Sequence, residues 1–218
     1  MAKSNENIFC GMFDHQRLRD AIAAKRDFLY FDNPYFDREN KSLRFRLIVG
    51  ASHLTRILPE QPGREQPLLP ALKPWREGRR RWRIVVIPPS PTQLQVYGCT
   101  SWLQQTLARI KMATNREVWV KEQKYASFPE AIADAWAVVT FASVAGVEAA
   151  VAGVPVFATE RCPAWPITAG TLEEIESPRR PERREWLRSL GYACWHMNEL
   201  EQLDLETYNY ARGDHGES

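Results

Sequence analysis
Between Arg83 and Glu160 the chain alternates short apolar runs with amphipathic segments, and that alternation restricts the fold more than any other feature. RIVVI is a continuous apolar strand, the pattern expected when both faces of a sheet are covered. TSWLQQTLARIKMAT follows as an amphipathic helix, and REVWVKEQ as a strand. SFPEAIADA opens on Ser127, with Pro129 in the first turn and Glu130 placed to close a capping box. WAVVTFA, SVAGVEAAVAG and VPVFATE then read as strand, helix and strand. Strands alternating with helices in this way build a parallel, doubly wound sheet.

The flanking segments are less regular. NIFCGMF reads as a first strand, and DHQRLRDAIAAKR as a helix capped by Asp14. DFLYFDNPYF is a strand stopped at Asn33-Pro34, and LRFRLIVGA a third strand. From Leu58 to Arg81 the chain is rich in Pro, Gly and Arg, the composition of a linker or long loop. The expected division is an N-terminal lobe over 1–57, a linker over 58–82 and a larger lobe over 83–218. Thr171 and Glu174 form another capping box, ERREWLRSLG a helix stopped by Gly191, and Asn198 and Glu201 caps for a last short helix.

With 218 residues, 44% of them hydrophobic, the chain has the size of one domain or of two small lobes sharing a cleft. The net charge is only +2, yet Lys73, Arg76, Arg79, Arg80, Arg81 and Arg83 fall close together, as do Arg179, Arg180, Arg183 and Arg184. Such clusters suit a phosphate-bearing partner, and equally a solvated surface loop. The cysteines Cys10, Cys99, Cys162 and Cys194 form no CxxC pair, so neither a zinc site nor a secreted disulfide framework is expected. MAKSNENIFC lacks the apolar core of a signal sequence, and no apolar run is long enough to span a bilayer. The expectation is a cytoplasmic protein without a membrane span.

The densest chemistry lies in the turn after WAVVT. Ligands of open parallel sheets bind beyond the carboxyl ends of the strands, where Thr140 to Gly146 fall. Helix N-termini expose N–H groups, and the small residues Ser143, Ala145 and Gly146 let an anion approach that backbone. Glu148, one turn on, suits the hydroxyls of a ribose. The same residues also fit a plain packing turn, with Ser143 as an N-cap and Gly146 at a close approach. GxGxxG and GxxxxGK[ST] are both absent, which excludes a standard dinucleotide fingerprint and a P-loop.

From Trp136 to Phe157 the sequence, with SVAGVEAAVAGVPVF at its centre, resembles the donor-binding half of GT-B glycosyltransferases of the capsule-polysaccharide (Kdo-transferase-like) type. Short proteins with IPPS, W-L-x-x-T-L-x-R, AWAVVT and AGVPVF in the same order occur among phage and prophage proteins, and the resemblance covers about Arg83 to Leu200. It implies a Rossmann-like parallel sheet, a GT-B-like C-terminal lobe, joined to a reduced α/β N-terminal lobe. It implies that Ser143, Val144, Ala145 and Gly146 contact the phosphates of a sugar nucleotide, with Thr140 ending the strand before them, Glu148 on the ribose and Lys121 neutralising phosphate charge. Glu122-Gln123 stand where that family usually has His-Pro, a departure within the implied site.

On this reading the protein moves a sugar from a nucleotide-sugar donor to an acceptor hydroxyl. The acceptor is either a glycan or a hydroxymethylated base in phage DNA, whose phosphates Arg79, Arg80, Arg81 and Arg83 would grip. No Asp-x-Asp occurs, so neither a metal nor a cofactor beyond the donor substrate is expected. Asp14, His15 and Asp32, at predicted carboxyl ends of strands, are the candidate bases. Ser90 and Thr92 follow RIVVI and are placed to contact donor phosphate, while Tyr97, Trp102 and Trp165 are candidates for stacking on a base or sugar. The alternative is a non-catalytic nucleotide or nucleotide-sugar binding module, which the short N-terminal lobe and the missing His-Pro favour.

Overall fold
A computed structural model describes the protein at residues 8–36, 43–60, 69–77, 83–121 and 127–202. In chain order its elements are β1 (Ile8–Cys10), α1 (His15–Ala23), β2 (Leu29–Asp32), β3 (Arg44–Val49), β4 (Arg83–Ile87), α2 (Pro91–Tyr97), α3 (Trp102–Ala113), β5 (Glu117–Val120), α4 (Phe128–Ala131), β6 (Ala135–Thr140), α5 (Ala145–Val151), β7 (Val156–Ala158), α6 (Arg184–Tyr192) and β8 (Cys194–His196). Short 3-10 turns cover Trp165–Ile167, Leu172–Glu174 and Met197–Gln202. No helix of the described residues is long and apolar enough to cross a membrane. The chain forms two compact units. The first holds the described residues up to Leu69, Gln95–Tyr97 and those from Arg184 onward; the second holds Pro70–Leu94 and Gly98–Arg183.

The first unit is a mixed sheet of order β1-β2-β3-β8. β1 and β2 are parallel, joined through α1, while β2–β3 and β3–β8 are antiparallel. Asp14 starts α1 by accepting from the Arg17 N–H at 3.3 Å. Leu18 and Ala21 on its inner face pack with Phe9, Phe28 and Tyr30, joined by Val96 from α2. Burying a side chain such as Leu18 stabilises by roughly 1.5–3 kcal/mol.

Two elements differ from the sequence reading here. Residues after 83 were expected in one lobe, yet β8 pairs with β3, Trp195 opposite Phe45. A three-residue strand is too short to show a period, so CWH gave no signal. Gly191 does not stop α6, which runs to Tyr192. Gly191 is not among the left-handed glycines, and it is buried where the helix passes into β8.

The second unit is mixed α/β, with an all-parallel sheet of order β5-β4-β6-β7. Ile84, Val86, Ala137, Val139 and Phe157 build one core, capped by Ile110 of α3 and by Leu172 and Ile175. The register slips at the start of β6: Arg83 faces Ala135, but Ile84 faces Ala137. The extra residue, Trp136, is turned by this bulge into the same core, and its indole N–H donates to the Ile175 carbonyl at 2.6 Å.

The capping boxes at Ser127–Glu130 and Thr171–Glu174 both form. Residues 70–77, of linker composition, are bonded to this unit: the Lys73 N–H donates to Val151 O at 3.0 Å and the Arg76 N–H to Gly153 O at 2.7 Å. The Trp75 indole reaches Pro181 O at 2.9 Å. A proline-rich composition signals the absence of helix and strand, and it says nothing of whether the backbone finds partners elsewhere.

Candidate functional site
The strand order β5-β4-β6-β7 reverses direction between β4 and β6. In such sheets the crevice outside the carboxyl ends at the reversal is where loops diverge and a ligand can enter. Here the loops after β4 and β6 meet. Ser90 caps α2, accepting from the Gln93 N–H at 3.2 Å, and the Gln93 side chain returns to the Ser90 N–H at 2.9 Å. The Gln93 amide also donates to Ala142 O at 2.8 Å, tying the two loops together. Pro91 is the first residue of α2.

The turn after β6 is mostly self-satisfied. Ser143 Oγ accepts from the Ala145 N–H at 3.1 Å, and Ser143 O from the Gly146 N–H at 3.0 Å. Val144 O accepts from the N–H groups of Val147 and Glu148. Among the described residues none accepts from the N–H of Ser143 or Val144, and both residues are half-buried. Gly146 is a packing position: a Cβ there would stand 3.1 Å from Cys162 Sγ and 3.2 Å from Thr140 Cγ2. Glu148 is half-buried one turn into α5, and the Lys121 N–H extends β5 by donating to Val86 O at 2.9 Å.

Cys162, against Gly146, is fully buried, and that burial pushes its thiol up to about 12. Cys10 is exposed. Iodoacetamide near pH 8 is expected to label Cys10 and to spare Cys162 until the chain is unfolded, as peptide mass spectrometry will read.

No protein-family model matches this sequence, and no curated protein matches it.

The candidate bases all lie in the first unit. Asp14 caps α1 and pairs with Arg17 at 3.1 Å. His15 is exposed on the first turn of that helix. Asp32 is held by Arg46, whose Nη2 donates to Asp32 Oδ2 at 2.6 Å. Arg46 is 3% exposed and also donates to the carbonyls of Asn33 at 2.6 Å and Ser52 at 3.2 Å. The Tyr30 hydroxyl donates to Asp32 Oδ2, and burial, then the Asp32 charge, raises the Tyr30 phenol above its ordinary range. Asp32 thus serves a buried cation.

Arg79, Arg80 and Arg81 lie outside the described residues, and Arg83 begins β4 with its guanidinium over the Trp119 ring at 5.9 Å. Arg183 is buried on Trp75, 3.7 Å from the ring centroid, and donates to the carbonyls of Ala150 and Lys73.

A cavity of about 310 Å³ opens at the carboxyl ends of β6 and β7. One helical face of α3 contributes Trp102, Thr106 and Arg109, spaced to point the same way. Val139, Thr140 and Phe157 come from the strands, and Trp165, Thr171 and Leu172 from the segment that follows β7. Thr140 is 1% exposed, and its hydroxyl has no hydrogen-bond partner among the described residues. Of the residues proposed from the sequence to hold the donor's phosphates and ribose, Thr140 alone lines this cavity. Trp102 and Trp165, expected as stacking residues, are both in its wall. Thr106 and Arg109 fall within the W-L-x-x-T-L-x-R run, Thr171 within a capping box and Arg179 within the second basic cluster, yet nothing in their spacing marks them as walls of one cavity.

Proposed function
We propose that the second unit is a nucleotide-binding module, with a nucleotide sugar as the ligand that the sequence resemblance implies. One observation carries this reading: the parallel sheet reverses its strand order between β4 and β6, and the small-residue turn bearing the Ser143 and Val144 N–H groups sits at that reversal. With an anion on those two N–H groups, Glu148, in the first turn of α5, is the residue the resemblance assigns to the ribose. Binding without turnover is favoured over glycosyl transfer, because Asp14 and Asp32 are each engaged in capping or ion pairing. In the transferase form of the reading a sugar would pass to a glycan or to hydroxymethylated DNA, with His15 as the exposed candidate base.

The test is calorimetry with UDP, GDP, CMP, ADP and their sugars, on the wild type and on Glu148→Ala. Saturable binding of one nucleotide is expected, weakened about tenfold in the variant, a loss of roughly 1.4 kcal/mol. Failure of the folded protein to bind any of them sinks the reading. Release of free sugar or a glycosylated acceptor from the bound donor would establish transfer.

A further inference from the structure
The cavity beside α3 has features that neither the fold nor the nucleotide reading requires. Its volume of about 310 Å³ is at the small end of ligand sites, which run from about 300 to 1,000 Å³. Its walls are largely aromatic and aliphatic, from Trp102, Val139, Phe157, Trp165 and Leu172. Trp165 remains 42% exposed, an indole at the wall that core packing does not consume. The buried Thr140 hydroxyl lacks a partner among the described residues, a costly state that a ligand donor or acceptor would relieve.

Two cations complete the lining. Arg109 engages Glu173 through Nε and Nη2 at 2.9–3.0 Å. Arg179 engages Glu174 through Nη2 alone, at 3.0 and 3.1 Å, so its remaining side-chain N–H groups have no acceptor among the described residues. Both pairs are well exposed to solvent. Exposed pairs of this kind contribute little, so a ligand anion exchanges for the glutamate at small cost. The carboxylates are not equally available to a cation. Glu174 already accepts from the Thr171 N–H and from Arg179, which in that order hold its carboxyl below the usual range. Its oxygens are committed to the capping box, while the guanidiniums have donors to spare.

We propose that this cavity binds a small planar aromatic anion: one ring between Trp102, Phe157 and Trp165, a polar ring substituent at Thr140, and a carboxylate or phosphate on Arg179 and Arg109. Glu173 and Glu174 are then built-in stand-ins for that anion. The assignment does not rest on the nucleotide reading, since Ser143, Val144 and Glu148, which carry that reading, do not line this cavity.

The experiment uses the full chain and follows the tryptophan indole N–H signals by NMR, assigned through Trp102→Phe and Trp165→Phe. Phenyl phosphate and phenylacetate separate the two anion types, and 2-phenylethanol is the neutral control. Shifts of the Trp102 and Trp165 signals are expected with at least one anion, at an affinity at least fivefold better than the alcohol. Arg179→Gln should weaken the anion about tenfold and leave the alcohol unchanged; the side chain is exposed, so the variant folds. Glu173→Gln should tighten the anion two- to threefold by removing its competitor, which a merely structural role would not do. Glu148→Ala should leave all three unchanged, which separates this site from the nucleotide turn. No shift of either indole by any probe overturns the site. Binding that ignores Arg179→Gln and Glu173→Gln overturns its anionic character.

Discussion

Arg46→Met is expected to destabilise the first unit by about 3 kcal/mol. Methionine keeps most of the side-chain volume and its apolar stem, so the loss reports the guanidinium. Arg46 is buried, and its charge is answered by Asp32 at 2.6 Å and by two backbone carbonyls. The rings of Tyr30 and Tyr35 lie 5.7 and 5.3 Å from its Cζ. Burial opposes its charge, yet the surrounding groups outweigh that and raise its pKa. Removing it strands the Asp32 carboxylate beside Tyr30 and leaves the Asn33 and Ser52 carbonyls without their donor. Breaking a buried pair costs roughly 3–5 kcal/mol, and the lower figure applies because the Asp32 side chain is 26% exposed and water can reach it. Arg46→Lys restores charge but not the fork of donors, so an intermediate loss is expected. Urea unfolding will show a lower midpoint at an unchanged slope. A loss below about 1 kcal/mol would mean the network is a solvated surface pair.

Gly153→Ala is the second large effect, about 3 kcal/mol or more in the second unit. Gly153 has φ +79, and a Cβ there would overlap the Pro74 carbonyl oxygen outright, with Lys73 O at 3.3 Å. Neither neighbour is a flexible side chain. They belong to the backbone that Gly153 itself holds, through the Arg76 N–H on its carbonyl. Gly98→Ala provides the control, since Gly98 has φ +63 and nothing within 4 Å of its Cβ. It should lose only the conformational preference, about 1 kcal/mol. Thermal unfolding of both variants separates backbone strain from steric overlap. Equal losses would refute the overlap.

The parallel sheet was legible because its strands are long apolar runs flanked by capping residues. RIVVI and AWAVVT announce themselves, and Ser127, Glu130, Thr171 and Glu174 make the caps the sequence promised. The carboxyl ends of those strands were legible for the same reason, and with them Thr140 and the turn. The cavity was not, beyond its two tryptophans. Its wall is assembled from α3, two strand ends and the segment after β7, and no local spacing links Arg109 to Arg179 across that distance. The surroundings of the charged residues were not legible, for a physical reason. Arg183 read as part of a cluster for a phosphate-bearing partner or a solvated loop, and its burial depends on carbonyls and an aromatic ring elsewhere in the chain. Asp32 followed Arg46: a carboxylate at a strand end looks like a base until its cation is known.

The return of β8 to the sheet of the first unit has a consequence for synthesis. Every strand of the parallel sheet lies between Arg83 and Ala158, so that sheet is complete in one continuous stretch of growing chain. The mixed sheet is not: β3 keeps an open edge from residue 49 until Cys194–His196 emerge. An edge with unpaired N–H and carbonyl groups is open to pairing with other chains for as long as it waits. The polypeptide is therefore most vulnerable to misassembly during the interval in which its middle is made, and the last short strand closes that window.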